Sequence, residues 1–238
     1  MSKERPRYMP TQPILIALDG PVGAGKSSLA DAVAKELNIL HLDTGAMYRA
    51  VALAALQLDL DVRDEQALET LCLQGRAQVE VCFSEHRQNT WLNGINVDEA
   101  IRSQAVGSAA STVSRYRGVR RYLVSLQQEL ARRQSMIIDG RDIGTVVLPQ
   151  ARVKVFVTAS PEMRAQRRFA QIKHKEPGAT LDNVLKELQA RDRQDQERLV
   201  DPLRKADDAV MLDTTNLSFE ESVTAILRIV EEAYAKQA

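Results

Sequence analysis

Residues Gly20-Pro21-Val22-Gly23-Ala24-Gly25-Lys26-Ser27 have the spacing G-x-x-x-x-G-K-S. A polyphosphate tail is held by an array of backbone N–H donors, and glycines let the backbone wrap close enough to supply them. In such a loop the Lys26 ammonium reaches the β- and γ-phosphates of a nucleoside triphosphate, and the Ser27 hydroxyl is placed to ligate Mg²⁺. Ser28 follows directly, and a phosphate-side role for it stays open. The competing reading is a tight glycine-rich turn with no ligand. Context favours the phosphate loop. Ile14–Leu18 reads as a buried strand before it. Ser28–Leu37 reads as a helix after it, with an N-terminus that favours anions.

Three further groups carry charge at telling places. Met136-Ile-Ile-Asp139-Gly-Arg141-Asp142 is an apolar run that ends in a carboxylate, the pattern of an acid that supports Mg²⁺. The strand ends of an open parallel sheet face its ligand crevice, so Asp139, Arg141 and Asp142 are expected near the P-loop. An Asp-Gly turn with surface charges is the bland alternative. Leu42-Asp43-Thr44-Gly-Ala-Met-Tyr48-Arg49 ends a second strand. Asp43 or Thr44 can cap the next helix, while Arg49 in its first turns can clamp a phosphate. Arg191, Asp195 and Arg198 are spaced i, i+4, i+7 and share a helical face. That face is either a solvated set of ion pairs or part of a nucleotide site, which needs both signs of charge. No His, Ser or Cys is placed as a general base. A phosphate-monoester acceptor needs none, being largely a dianion and already nucleophilic at pH 7.

Apolar runs at 14–18, 39–42, 135–138, 153–157 and 209–212 alternate with helical patterns at 25–37, 46–58, 104–112, 115–133, 160–173, 180–197 and 219–236. Short buried strands linked by helices predict an α/β fold, with a five-stranded parallel sheet covered on both faces. Ser160-Pro161 reads as an N-cap with proline behind it, and Ser218 with Glu221 as a capping box. Residues 61–103 break the rhythm. There Val79, Val81 and Phe83 alternate with period two and Asn93-Gly94 signals a hairpin, so a small antiparallel insertion is expected. Lys173–Ala179 is a charged loop between helices, a lid or a plain surface loop. The domain reading is a tail at 1–12, a core at 13–60, 104–163 and 180–238, an insertion at 61–103 and a lid at 164–179.

At 238 residues, 44% hydrophobic and 27% charged, the chain has the composition of a globular protein. Its 32 basic and 32 acidic residues cancel, which argues against a nucleic-acid footprint over the whole surface. Cys72 and Cys82 lack paired spacing, and no secretion signal or apolar span opens the sequence, so a reducing cytoplasm is expected. His41, His86 and His174 are scattered, without metal-ligand spacing. With no exposed heptad seam, a monomer is expected.

In this order the motifs resemble the bacterial cytidylate kinase family, a branch of the nucleoside monophosphate kinases, over nearly the whole chain from Pro13. The likeness rests on Asp19-Gly-Pro-x-Gly-Ala-Gly-Lys-Ser, Leu42-Asp-Thr-Gly-Ala-Met-Tyr-Arg, Asp139-Gly-Arg-Asp-Ile-Gly-Thr, Arg191-Asp-x-x-Asp-x-x-Arg, Asp201-Pro-Leu and Leu212-Asp-Thr-Thr. It implies a P-loop kinase with a monophosphate-binding insertion and a lid. It implies phosphoryl transfer from ATP to CMP or dCMP, with Mg²⁺ held through Ser27 and Asp139, and no nucleic-acid, membrane or protein partner. Arg49, Arg141 and Arg198 would hold the acceptor phosphate, with Thr44 beside it. Ser111, Arg120 and Asp142 would read the cytosine edge. Tyr48, Arg191 and Asp195 would line the ribose. Lys26 and the lid arginines Arg164 and Arg168 would neutralise the transferring phosphoryl, and residues 20–28 with Arg164 would hold ATP.

The rivals are a P-loop kinase for another acceptor, such as shikimate, and a nucleotide-driven switch or motor. A GTPase switch would carry Asn-Lys-x-Asp, which is absent here. A nucleic-acid motor would show a basic face. A nucleotide-binding protein without turnover stays open.

Overall fold

The computed structural model describes residues 13–84, 87–174 and 178–235. In chain order these form β1 (Leu15–Asp19), α1 (Lys26–Leu37), β2 (Leu40–Asp43), α2 (Thr44–Gln57), α3 (Glu65–Leu73), β3 (Val79–Ser84), β4 (Arg87–Leu92) and β5 (Ile95–Asn96). The second half holds α4 (Gln104–Val113), α5 (Arg117–Arg133), β6 (Met136–Gly140), β7 (Val153–Thr158), α6 (Pro161–Ile172), α7 (Leu181–Glu197), β8 (Val210–Asp213) and α8 (Phe219–Ala235).

Five strands pair in the order β2-β6-β1-β7-β8, all parallel. Successive strand side chains point to opposite faces, and both faces are buried. Ile16, Leu18, Ile137 and Val155 pack with α1 and α8, whereas Ala17, Leu42, Met136 and Ile138 pack with residues of α2, α4 and α5. Burial on both sides is why these strands read as unbroken apolar runs rather than alternating ones. Register aligns the strand ends. Leu18 lies opposite Asp139, Asp19 opposite Gly140, and Asp43 opposite Asp139. Three acids thus meet at the carboxyl edge of the sheet.

The break at 61–103 is a separate antiparallel sheet, β3-β4-β5, preceded by α3. Leu92 pairs with Ile95 across Asn93 (φ 51°) and Gly94 (φ 77°), the positive-φ pair that a two-residue hairpin of this twist requires. Gln88 joins this sheet to the core, accepting from Asp43 N at 2.7 Å and donating to Asp43 O at 3.2 Å. Helices α6 and α7 pack on each other through Ala165, Ile172, Val184 and Leu188, with Val22 of the P-loop against them.

Boundaries differ from the sequence expectation by one or two residues. Helix α2 starts at Thr44 rather than 46 because the Asp43 carboxylate accepts from Ala46 N at 3.3 Å. Asp43 is therefore the cap, and Thr44 is free for another contact. The Ser160 cap and the Ser218–Glu221 capping box form as expected. The tail at 1–12 and residues 175–177 of the anticipated lid loop lie outside the described residues. Arg164 and Arg168 lie on α6, the helix expected at 160–173.

Candidate active site

The P-loop needs its glycines. Gly20, Gly23 and Gly25 have φ of 146°, 76° and 86°, and a Cβ on Gly20 would lie 1.9 Å from Val157 O. Lys26 begins α1 and folds back over the loop, donating from Nζ to Pro21 O at 2.7 Å. Burial, then the Arg141 guanidinium, lowers its pKa from 10.5 to about 7, against the pull of Asp139, Asp19 and Asp195. Ser27 and Ser28 are exposed at the start of the helix.

Asp139 ties the sheet edge together. Its Oδ2 accepts from Ser27 Oγ at 2.8 Å, its Oδ1 lies 2.9 Å from His41 Nε2, and its carbonyl accepts from Thr44 Oγ1 at 2.8 Å. Burial opposes its ionisation. The bond and charge of His41, with Lys26 and Ser27, nevertheless hold its carboxyl below the ordinary range. A hydroxyl and an ionised carboxylate side by side suit Mg²⁺. That ion takes oxygen ligands and keeps sites for water and phosphate oxygens instead of demanding a protein cage. No cluster of three or more acid, His or Cys ligands occurs among the described residues.

Arg120, Asp142, Arg198 and Asp201 form a buried ion network. Arg120, 2% exposed, donates to Asp142 Oδ2, to Asp201 Oδ2 at 2.7 Å and to Ser114 O at 3.1 Å, with Tyr48 beneath its guanidinium at 5.7 Å. Arg198 donates from Nε to Asp201 O at 2.6 Å, and its Nη2 stands 3.4 Å from Asp142 Oδ1. That Nη2 is buried with no hydrogen-bond partner, a cost tolerated where a ligand completes the site. Burial pushes the Asp142 carboxyl up despite Arg120 and Arg198.

Arg141 donates to Asp195 Oδ2 at 2.8 Å. Arg49 donates to Ile101 O at 3.0 Å. Arg191 has its pKa lowered first by burial, then by Arg141, with Arg49 and Arg168 adding to it. Arg49 is lowered first by burial, with Arg168 and Arg102 adding to it against the Asp43 charge. Guanidiniums that repel one another in a partly dry crevice make an anion site. The fold thus gathers Lys26, Thr44, Tyr48, Arg49, Arg120, Asp139, Arg141, Asp142, Arg168, Arg191, Asp195 and Arg198.

One expected residue sits differently, and one has an added partner. Arg164 is buried and committed: it donates to Ala159 O at 3.0 Å, to Val22 O at 2.9 Å and to Asp192 Oδ2 at 2.7 Å. It therefore braces the P-loop from behind rather than reaching across the crevice. Ser111, in the last turn of α4, accepts from Gln194 Nε2 of α7.

Several contributors were missed. Asp19 accepts from Ile143 N and Gly144 N, both at 2.7 Å. It so holds the turn that carries Arg141 and Asp142, and burial raises its pKa to about 6. The signal was an acid closing a wholly apolar run. His41, flanked by Leu40 and Leu42, gave a similar one. Gln88, Asp192, Gln194 and Asp201 act through contacts distant in sequence, and the sequence held no signal for those contacts.

A central strand feeding a P-loop, an acid on the adjacent strand and arginines gathered at the same sheet edge define a P-loop kinase. The cytidylate kinase family model matches residues 16–232, and the chain belongs to that family. Cytidylate kinase of Bacillus cereus (strain B4264) is 46% identical over 223 residues, covering 94% of this chain and 98% of the relative. That of Bacillus thuringiensis (strain Al Hakam) is 45% identical with the same coverage. An uncharacterized protein from Eubacterium ventriosum shares the fold, with TM-score 0.53 and 11% identity over 92% of this chain and 98% of that one.

Proposed function

We propose that this protein is a (d)CMP kinase that transfers the γ-phosphoryl of ATP directly to the acceptor phosphate, giving ADP and CDP or dCDP. The observation that carries this is the buried Arg120–Asp142–Arg198 network. A carboxylate has about four lone-pair sites, so Asp142 can hold both arginines and still accept from the cytosine amino group. Arg120 and Ser111 donate to the ring acceptors. Uracil turns a carbonyl towards Asp142, leaving buried polar groups unpaired, which discriminates strongly.

Arg49, Arg141 and Arg198 hold the acceptor phosphate, with Thr44 at its side; Tyr48, Arg191 and Asp195 line the ribose. The loop 20–28 and Lys26 hold the triphosphate. Arg168, exposed on α6, is the lid cation, whereas Arg164 keeps the P-loop in shape. Ser27 and Asp139 would hold Mg²⁺, which would offset the negative charge of the phosphates. The acceptor dianion is its own nucleophile, so the protein's part is to align it in line and keep water out. The insertion 61–103 and lid 164–179 supply closure, and the chain works as a cytoplasmic monomer. Among the described residues no helix is long and apolar enough to cross a membrane.

A coupled ADP-release assay across CMP, dCMP, UMP, AMP, GMP and shikimate tests this. CMP and dCMP should be turned over fastest. Fastest turnover of UMP, AMP or shikimate would refute the assignment, and ADP release independent of any acceptor would favour an ATPase.

A further inference from the structure

His41 has no part in the phosphoryl transfer above, yet it is fixed on a residue that has one. The register of β2 on β6 sets His41 opposite Ile137. Asp139 follows two residues on, so its side chain shares the face of Ile137, the one covered by α1. His41 Nε2 meets it there, 2.9 Å from Oδ1. An ionised carboxylate only accepts, so Nε2 carries the hydrogen. The imidazole is 12% exposed, and its Nδ1 stands 4.0 Å from Asp31 Oδ1 of α1, too far for a hydrogen bond. The other oxygen of Asp139, Oδ2, accepts from Ser27 Oγ at 2.8 Å. The carboxylate is thus gripped at both oxygens, by β2 on one side and α1 on the other. Among the described residues no other hydrogen bond reaches either oxygen, so without His41 the buried Oδ1 is left unpaired.

We propose that His41 is a positioning residue for the divalent cation: its Nε2–H pins Oδ1 of Asp139 and so keeps Oδ2 beside the Ser27 hydroxyl, where the two oxygens form one ligand pair. This rests on the assignment of Ser27 and Asp139 to Mg²⁺. Of the two donors that hold the carboxylate, Ser27 is itself a candidate ligand, and only His41 lies outside the ligand set. Its grip therefore does not compete with the ion. A carboxylate held at one oxygen has lost most of its freedom to turn about its Cβ–Cγ bond, and less ordering remains to be done when a cation arrives. Partners of this kind, which orient a ligand without touching the metal, typically carry 10–100-fold in metal affinity. The role belongs to the N–H donor, not to the charge of an imidazolium, so a neutral amide of suitable reach can replace it.

The test is titration calorimetry of ATP into the full chain, once in EDTA and once with saturating Mn²⁺. The ratio of the two dissociation constants isolates what the protein gains by holding the metal. His41→Leu should lower that ratio about ten-fold, with metal-free ATP affinity within about two-fold of wild type. His41→Gln keeps a neutral N–H donor and should recover the ratio to within about three-fold. In an Asp139→Asn background His41→Leu should change it less than about two-fold, because the two residues act through one contact. An unchanged ratio in His41→Leu overturns the proposal. So does a His41→Gln protein as impaired as His41→Leu, which would assign the effect to charge. An equal loss of affinity with and without Mn²⁺ would mark a general distortion and overturn it too. A ratio that falls in Asp139→Asn but not in His41→Leu sinks this inference alone. A ratio that Asp139→Asn leaves unchanged sinks the metal assignment with it.

Discussion

Lys26 combines 5% exposure with a positive charge. Burial and Arg141 bring its pKa from 10.5 to about 7 in the ligand-free protein. A triphosphate placed on the P-loop brings negative charge to the ammonium and returns it towards the ordinary lysine range. The perturbation is therefore pH. With a pKa of about 7, roughly half of the free protein carries the charge at pH 7 and about a tenth at pH 8. The ATP complex is fully charged at both. Binding should take up about 0.5 proton at pH 7 and about 0.9 at pH 8, and the dissociation constant should rise about ten-fold per pH unit above 7. Phosphate ionisation, near pH 6, is over by then. Titration calorimetry in two buffers of different ionisation enthalpy measures the uptake directly. The same shift acts on folding. A base whose folded pKa is depressed leaves the unfolded chain with more bound protons between about 7 and 10.5, so ligand-free stability rises with pH through that window. Lys26→Met removes the conflict. It should raise the ligand-free melting temperature at pH 7, with an upper bound of about 4 kcal/mol, while abolishing proton uptake. Uptake near zero at pH 8 with a flat dissociation constant from pH 7 to 9 would refute the reasoning.

Arg198→Ala should lower turnover about 10²–10³-fold, the scale of one lost transition-state donor, with ATP affinity within two-fold; near-normal CMP phosphorylation would sink its role. Asp142→Asn leaves buried Arg120 and Arg198 without their shared counter-charge and should cost about 3–5 kcal/mol in urea unfolding. A loss below about 1 kcal/mol would count against the network. Gly20→Ala drives a Cβ into Val157 O at a φ of +146°. It should destabilise the fold by about 3 kcal/mol and abolish ATP binding in calorimetry, and retained affinity would show that the loop can move.

The sheet was legible because each strand is an apolar run buried on both faces and each helix carries its own cap, as Ser160 and Ser218 do. The P-loop was legible because its glycine spacing is imposed by backbone geometry. Which cations face ligand and which brace the scaffold was not legible. Arg164 and Arg168 are one helical turn apart, yet Arg164 is buried on Val22 O and Asp192 while Arg168 is exposed. That choice depends on where α7 crosses α6, a contact distant in sequence. Asp19 was hidden for the same reason, since its partners Ile143 and Gly144 lie more than a hundred residues away.

Helix α7 explains why one short stretch can govern both halves of the site. Asp192 points back to Arg164 and so to the P-loop carbonyl at Val22. Gln194 points to Ser111, and Asp195 to Arg141 at the end of β6. Successive residues of a helix project about 100° apart, so a single turn can address three separate walls. The same turn also braces the residues around it. Leu203 N donates to Asp195 O at 2.8 Å, and Arg198 Nε holds Asp201 O, fixing the segment that gives Arg120 its second carboxylate. A rotation of α7 by even part of a turn would therefore disturb the contacts of Arg164, Ser111 and Arg141 together. Repulsion among Arg49, Arg168 and Arg191 opposes their approach in the free protein. An anion among them would relieve it.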